Sequence, residues 1–503
     1  MVYAVRALGL RFSCCVALMA AALVVLPRAA LAENGWWEPP GIATTHATQG
    51  EVRAAIAKAL GAAAPAYVQR VETYAVSAPG VTCSAREFVR GANFRISALL
   101  AGKDYGFGRS DGSRWRQTPT GLVHLVLSDV QGDDLDRWPT AYVSDDRSSW
   151  VLVGETREAA PAWVLLDRSR YDIPHWFYVD KASGLIVREV THEGIRSETT
   201  TFDDFRAVEG TRRPYAWHVR GAGPTLDVAV TGIGARPVTV NEVAIPGSTS
   251  DSLTEPQSPS EIPATFVRGR ITVPLSVNGK GMHFMLDTGT PQIVMSGAAA
   301  RRADLAPLLG HATATQITVA GTTSRDVPVS VLNYWGDGIL GYEFFSGRVV
   351  HIDYRRARVD VLPREGFSPP PDAREFDVDF NEGMPLVAAR VGRVDGDRFV
   401  LDTGSWRLVL GRELQVHHSL RDLDLRMTGA ARRSEYLEGG INVAPAVAAS
   451  LAFGAARFSE LPAEVEMSGN ETEFPIDGII GTDELQNFEW WFDADGRRAW
   501  MRR

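Results

Sequence analysis

Two stretches of this chain are near copies of each other, and that duplication restricts the available folds more than any other feature. Phe284-Met285-Leu286-Asp287-Thr288-Gly289-Thr290 recurs as Phe399-Val400-Leu401-Asp402-Thr403-Gly404-Ser405. Each copy follows a strand-like run and an expected hairpin turn, Asn278-Gly279 in the first and Asp395-Gly396 in the second. Farther on, Asp337-Gly338-Ile339-Leu340-Gly341 is matched by Asp477-Gly478-Ile479-Ile480-Gly481, and Val350-His351-Ile352-Asp353 by Trp490-Trp491-Phe492-Asp493. The parts come in the same order in both halves. A duplicated unit forming a pseudo-two-fold pair of lobes is therefore expected.

The duplicated aspartate sits where a carboxylate is costly. An apolar run before it and Thr-Gly after it describe the end of a buried strand, with glycine where the backbone must turn sharply. A lone carboxylate there would need a purpose or a partner, and the second copy supplies one if the lobes meet face to face. Two carboxylates at hydrogen-bond distance cannot both ionise, so they share a proton and titrate as a pair. The ionised member can take a proton from water while the protonated member gives one to a carbonyl oxygen. One Asp-Thr-Gly is weak evidence, since chance yields about 0.1 to 0.2 in a chain this long. Two in equivalent apolar surroundings, each with an apolar-apolar-Gly partner downstream, are strong.

Here the residues resemble the aspartic peptidases, both pepsin-like and retropepsin-like, over roughly Ile262 to Arg503. The resemblance implies a mainly β fold with two small β-barrel lobes, and a catalytic pair made of Asp287 and Asp402. Thr288 and Thr403 would hydrogen-bond across the pair and lock the lobes together. Gly289 and Gly404 complete the loops, and Thr290 and Ser405 would donate hydroxyls to the outer carboxylate oxygens. Gly341 and Gly481 would let a second segment pack against each loop. Hydroxyl donors favour the ionised form and should lower the pair's pKa, giving an acidic to mildly acidic optimum. The substrate would be a polypeptide, with no cofactor and no metal. Each lobe is about as long as a single retropepsin subunit and no flap tyrosine stands out, Tyr334 being too near Gly341. Thr318 to Asp326 or Met427 to Gly440 are the expected covering hairpins.

The remainder of the chain divides by composition. Arg6 and Arg11, the apolar run Phe12 to Leu26 and Ala30-Leu31-Ala32 form a secretory signal over residues 1–32, placing the mature protein in the periplasm or outside the cell. Residues 33–247 read as an antiparallel β-rich (α+β) domain, with an Ala-rich helix over 51–71 and strands from about Ser84. A Ser/Pro-rich linker over 248–262 separates it from lobe one, 263–365, and lobe two, 374–503. The linker's exposure also makes self-cleavage an expectation. Trp176-Phe177-Tyr178-Val179-Asp180, Gly184-Leu185 and Thr201-Phe202-Asp203-Asp204-Phe205 give the N-terminal domain a diffuse similarity to periplasmic lipoprotein-carrier half-barrels. That similarity implies an apolar groove for a lipid or lipoprotein segment, whereas the alternative is a domain whose tryptophans fill its own core. Cys83, the single cysteine after the signal, is expected to be a buried structural thiol. A net charge of -9 gives no basic footprint, which argues against nucleic acid as a partner. With both copies in one chain, a monomer completes the site. The competing function is a non-catalytic carrier or envelope protein whose lobes only bind extended peptide.

Overall fold

The computed structural model describes residues 39–503 apart from 62–68, 79–80, 92, 101–102, 112, 118–122, 127–149, 157–159, 168–174, 194–195, 209, 222–224, 247–253, 255, 308–309, 382–383, 437–438 and 469–475. The secretory signal and residues 248–253 and 255 of the Ser/Pro-rich linker lie outside these residues. The chain divides into two compact units, one made mainly of residues up to Ala244 and the other mainly of Ile245–Arg503.

The first unit is built on an antiparallel sheet. Its strands Trp150–Thr156, Ala162–Asp167, His175–Asp180, Ile186–Glu193, Arg196–Val208, Thr211–Gly221 and Leu226–Ala235 follow one another as neighbours, and Arg70–Ala78 and Val81–Arg90 come next to the last of them. The Ala-rich segment is helical over Gln49–Leu60 only. Thr48 caps it reciprocally with Glu51, and it ends at Gly61, whose φ of 90° suits glycine. Arg70 already begins a strand, so the helix expected over 51–71 is shorter than its composition suggested. Trp176 and Trp217 are fully buried. The face that holds Trp217 also carries Tyr74, whose hydroxyl lies 2.6 Å from carboxylate oxygens of both Glu72 and Glu87. Glu72 in turn pairs with Arg70 and Arg213. That face therefore mixes apolar side chains with a buried ionic cluster. Cys83 is half-buried rather than buried, and desolvation pushes its thiol up, away from the reactive thiolate.

The second unit has mainly β lobes of matching construction. In lobe one, Arg270–Val277 alternates half-buried and buried residues, so Ile271, Val273, Leu275 and Val277 face the core. Asn278 and Gly279, both at positive φ, turn it into Lys280–Leu286. Six strands close on themselves: Arg270–Val277, Lys280–Leu286, Gly338–Leu340, Val294–Ser296, Thr322–Leu332 and His311–Val319. Lobe two closes in the same order through Met384–Val391, Val394–Leu401, Gly478–Ile480, Leu408–Leu410, Ala456–Ser468 and Gly439–Phe453.

One turn differs from expectation. The second hairpin turns at Gly392-Arg393, not at Asp395-Gly396. Asp395 is within the strand and pairs with Arg390. Gly396 is needed there because a Cβ would meet the Asp477 carboxylate at 2.5 Å. That carboxylate accepts the Arg398 N–H, as Asp337 accepts the His283 N–H at the equivalent place in lobe one.

The lobes are joined by a six-stranded sheet to which each contributes three strands, in the order Ser260–Ile262, Arg358–Pro363, Arg348–Asp353, Glu489–Asp493, Arg498–Arg502 and Arg374–Asp377. Ser260–Ile262, the end of the segment read as linker, is thus an edge strand. At the centre Val350 pairs with Phe492, His351 with Trp491 and Ile352 with Trp490. Equivalent residues of the repeat exchange places in this register, so the pseudo-two-fold axis passes between His351 and Trp491, whose rings stack at 4.6 Å. One buried apolar cluster continues through both lobes. Phe492 is 1% exposed and packs on Phe345 and Trp490. Phe492→Ala is expected to cost about 3–5 kcal/mol in denaturant unfolding; a loss under about 1 kcal/mol would show that the central sheet does not hold the lobes together.

Candidate active site

The two aspartates leave equivalent strands at equivalent points. Lys280–Leu286 runs parallel to Gly338–Leu340, and Val394–Leu401 parallel to Gly478–Ile480. The last strand bonds run from the Asp287 N–H to the Leu340 carbonyl and from the Asp402 N–H to the Ile480 carbonyl, each 3.0 Å. The loops then cross the downstream glycines. A Cβ on Gly341 would lie 2.2 Å from the Thr290 carbonyl oxygen, and one on Gly481 would lie 2.5 Å from the Arg407 nitrogen. Real Cβ contacts do not come that close, so these glycines make the crossing possible.

Four reciprocal hydrogen bonds tie the loops together. The Thr288 hydroxyl donates to the Leu401 carbonyl (2.6 Å) and accepts from the Thr403 N–H (3.0 Å). The Thr403 hydroxyl donates to the Leu286 carbonyl (2.9 Å) and accepts from the Thr288 N–H (3.1 Å). Both threonines are buried, so each group would lose its only substitute for water if one hydroxyl were removed. Gly289 and Gly404 complete the approach. A Cβ on Gly289 would stand 2.5 Å from Asp402 Cγ, and one on Gly404 the same distance from Asp287 Cγ. Each glycine leaves the space that the other lobe's carboxyl occupies.

Within its loop, Asp287 Oδ1 accepts the Gly289 N–H at 2.8 Å and Oδ2 accepts the Thr290 hydroxyl at 2.9 Å. Asp402 Oδ1 accepts the Gly404 N–H at 2.7 Å and the Ser405 N–H at 3.1 Å. Ser405 thus serves through its backbone and not through the hydroxyl expected of it, because its loop presents the amide to the carboxylate. Each carboxyl also faces the other lobe's loop, and the two lie near enough for each to shift the other's ionisation. Burial pushes the Asp287 carboxyl up, against the pull of bonds from Asp402, Thr290 and Gly289. Asp402 is raised well above the carboxylate range, by burial and then by the negative charge of Asp287. The hydroxyl donor predicted to lower the pair's pKa is present at Thr290, but desolvation outweighs it. With both carboxyls raised, the arrangement is a pair suited to sharing one proton. It can act as base and acid at once.

Of the residues singled out in the sequence, Asp287, Thr288, Gly289, Thr290 and Gly341 of lobe one meet Asp402, Thr403, Gly404, Ser405 and Gly481 of lobe two in this one place. The hairpin at Thr318 to Asp326 does not behave as a free cover. Its turn at Ala320-Gly321 is tied by the Ser260 hydroxyl to the Ala320 carbonyl, and Thr254 binds Thr323 and Ser324. The second expected cover does form a hairpin, Arg432–Tyr436 against the start of Gly439–Phe453. Three neighbours escaped sequence reading, and a fourth, Tyr334, was weighed only as a covering tyrosine. Arg270, Tyr334, Trp335 and Trp406 group beside the pair, and the Asp287 charge adds to burial in pushing the Tyr334 hydroxyl up to about 12. Trp406 had a signal, since it directly follows Ser405; Arg270 had none. Among the described residues no group of three His, Cys, Asp or Glu side chains is placed to hold a metal ion.

Residues 273–344 match the aspartyl protease family. The match runs from the strand before Asp287 to just past Gly341, and lobe two repeats the same parts beyond it. The C-terminal half of the chain is therefore aspartyl protease-like. A solved structure titled LolA superfamily protein NE2245 from Nitrosomonas europaea is similar to this chain at 11% identity and a TM-score of 0.28, covering 39% of this chain and 98% of its own. Likeness at that level carries no inference about function. No curated protein matches the chain.

The contact between each aspartyl protease-like loop and the opposite carboxyl gives a direct test. Gly289→Ala is expected to destabilise the protein by about 1–3 kcal/mol in denaturant unfolding. Gly281→Ala, where an added Cβ meets nothing within 4 Å, should change stability by less than about 0.5 kcal/mol. Equal effects from the two would contradict the close approach.

Proposed function

We propose that this protein is an exported aspartic endopeptidase, hydrolysing polypeptides with a water activated between Asp287 and Asp402. The observation that carries the reading is the pair itself, two carboxyls from equivalent loops, each set against the other's glycine within a reciprocal threonine scaffold. In the reaction the Asp287 carboxylate takes a proton from water as its oxygen attacks the peptide carbonyl carbon. Asp402 gives its proton to the carbonyl oxygen, so a neutral tetrahedral diol forms. The reverse transfers break the C–N bond: the proton held by Asp287 goes to the leaving nitrogen, and a diol hydroxyl returns a proton to Asp402. The pair ends as it began.

The pattern over residues 1–32 supports export, and cleavage after Ala32 would release the chain into the periplasm or the medium. Both carboxyls come from one chain, which supports action as a monomer. The N-terminal domain would serve as an accessory module that presents a lipid, a lipoprotein segment or part of the substrate.

Cleavage of denatured casein by wild type, Asp287→Asn and Asp402→Asn, with and without pepstatin, tests the reading. Activity in wild type that falls by at least about 10³-fold in both variants is expected, the scale of losing a member of an acid–base unit. Undiminished cleavage in either variant would contradict it. If all three are folded and inert but retain extended peptides, the non-catalytic peptide-binding protein replaces the enzyme.

The pH dependence has a definite sign. Catalysis needs the pair singly ionised, and both steps lie above the ordinary aspartate value of about 3.9 because burial raises them. The acid limb of kcat/KM should therefore lie above about pH 4 and the alkaline limb well above that. Thr290→Ala removes a donor to ionised Asp287 and should move the acid limb up by about one to two pH units. A limb that stays in place or moves down would show that Thr290 does not stabilise the ionised form.

A further inference from the structure

Beside the aspartate pair stands a cation, Arg270, that forms no ion pair among the described residues. Arg270 begins its strand after the tight turn Val267-Arg268-Gly269-Arg270, in which Arg268 and Gly269 have φ of 51° and 81°. Gly269 is wedged against the opposite lobe, for a Cβ there would lie 2.8 Å from Thr482 Cβ, next to Gly481. That wedge sets the Arg270 guanidinium 4.7 Å from the ring centre of Trp406 and 6.0 Å from that of Trp335. Trp406 directly follows the Asp402 loop, and Trp335 lies two residues before Asp337. The two rings therefore hold the cation between the active-site segments of both lobes.

What sets Arg270 apart from the paired arginines of this unit is its half-buried head beside the site. Arg302, Arg358, Arg364, Arg390, Arg432 and Arg502 each pair with a carboxylate. Among the described residues Arg270 makes no ion pair, and its buried Nε–H has no acceptor. Neither Asp287 nor Asp402 is within ion-pair distance of it, although their charges are felt there. Stacking of a planar guanidinium on indole rings leaves its N–H edge free for a two-point bond to a carboxylate. A half-buried guanidinium lacking such a bond is a costly arrangement, and a bound anion would relieve it. Trp335, 80% exposed, and Trp406 supply apolar surface that a bound chain would cover.

We propose that Arg270, held by Trp335 and Trp406, is the specificity residue that binds a substrate carboxylate next to the scissile bond. The carboxylate is an acidic side chain or the free C-terminus of the peptide, two sources of one chemistry. The inference rests on reading the aspartate pair as a peptidase site. It narrows the substrate class from polypeptides in general to chains bearing an anionic group close to the bond that is cut.

The experiment uses matched peptides that differ only in Glu or Gln at each position flanking the cleaved bond, each made with a free or an amidated C-terminus. Wild type should cleave the peptide bearing the recognised carboxylate with kcat/KM about 10–100-fold above its neutral match, the scale of a charge-assisted bond in a partly desolvated site. Arg270→Gln should bring that ratio to about one, and Arg270→Lys should keep part of it. A preference that follows Glu assigns the side chain, and one that follows the free terminus assigns the chain end; either supports the proposal. A wild-type ratio near one, or a ratio unchanged in Arg270→Gln, overturns it, because a merely structural arginine would slow both peptides alike. Binding of the same peptides to Asp402→Asn protein, read by tryptophan fluorescence, separates the two readings. If wild type cleaves nothing while Arg270-dependent preference persists in binding, the peptidase reading falls and the carboxylate site stands. If cleavage occurs without charge preference, the reverse holds.

Discussion

Four hydrogen bonds between Thr288 and Thr403 and the strand ends they face decide what the rest of the C-terminal half has to do. They hold two strand ends so close that the side chains at the tips, Asp287 and Asp402, share one site. In water two aspartates would ionise independently. Desolvated and close together they cannot, because the second negative charge would lack both hydration and a counter-charge. The acid–base capacity of the site is thus a consequence of packing, with desolvation as its main cause. Gly289 and Gly404 leave room for the opposite carboxyl, while the Thr290 hydroxyl and the Ser405 amide offset part of the desolvation by donating to the carboxylates.

Such closeness requires rigid supports on both sides, and the architecture supplies them twice. Each lobe closes six strands into a barrel, so the strand that ends in aspartate is pinned by neighbours on both edges. The six-stranded sheet joins the barrels, and the register around His351 and Trp491 makes the two halves symmetric about the axis. Glycine appears wherever a Cβ would have kept chain segments apart: at 289 and 404 opposite the carboxyls, and at 341 and 481 under the loops. Symmetry breaks where specificity is expected. Thr290 supplies a hydroxyl and Ser405 an amide. Beside the pair, Arg270 of lobe one stands against Trp406 of lobe two.

The duplicated architecture was legible because duplication leaves a mark that needs no structure to read. Asp287 and Asp402 stood out through the repeat, and the threonines and glycines could be named through its resemblance to the aspartic peptidases, since each answers a steric or electrostatic demand that few residue types meet. What failed to show in the sequence is set by tertiary contact. Asp395-Gly396 has the composition of a turn, yet Gly396 answers to the Asp477 carboxylate across the barrel and the turn falls at Gly392-Arg393. The alanines after Leu60 favour helix, yet Gly61 ends it. The sign of the dyad's pKa shift was misjudged for a related reason. A hydroxyl donor is visible in a motif, whereas the extent of desolvation is not. Arg270 lies seventeen residues before Asp287 at an unremarked strand start, and only the folded chain brings it to the site.

The proposed chemistry requires the Asp287–Asp402 pair to retain one proton where ordinary carboxyls have lost theirs. The most direct measurement is a ¹³C NMR titration of the aspartate side-chain carboxyls in wild type and in Asp402→Asn. Two coupled steps are predicted in wild type, the second well above the usual carboxylate range, with that second step absent from the variant. Two independent ionisations near the reference value of about 3.9 would mean that the carboxyls do not share a site, and would contradict the central claim.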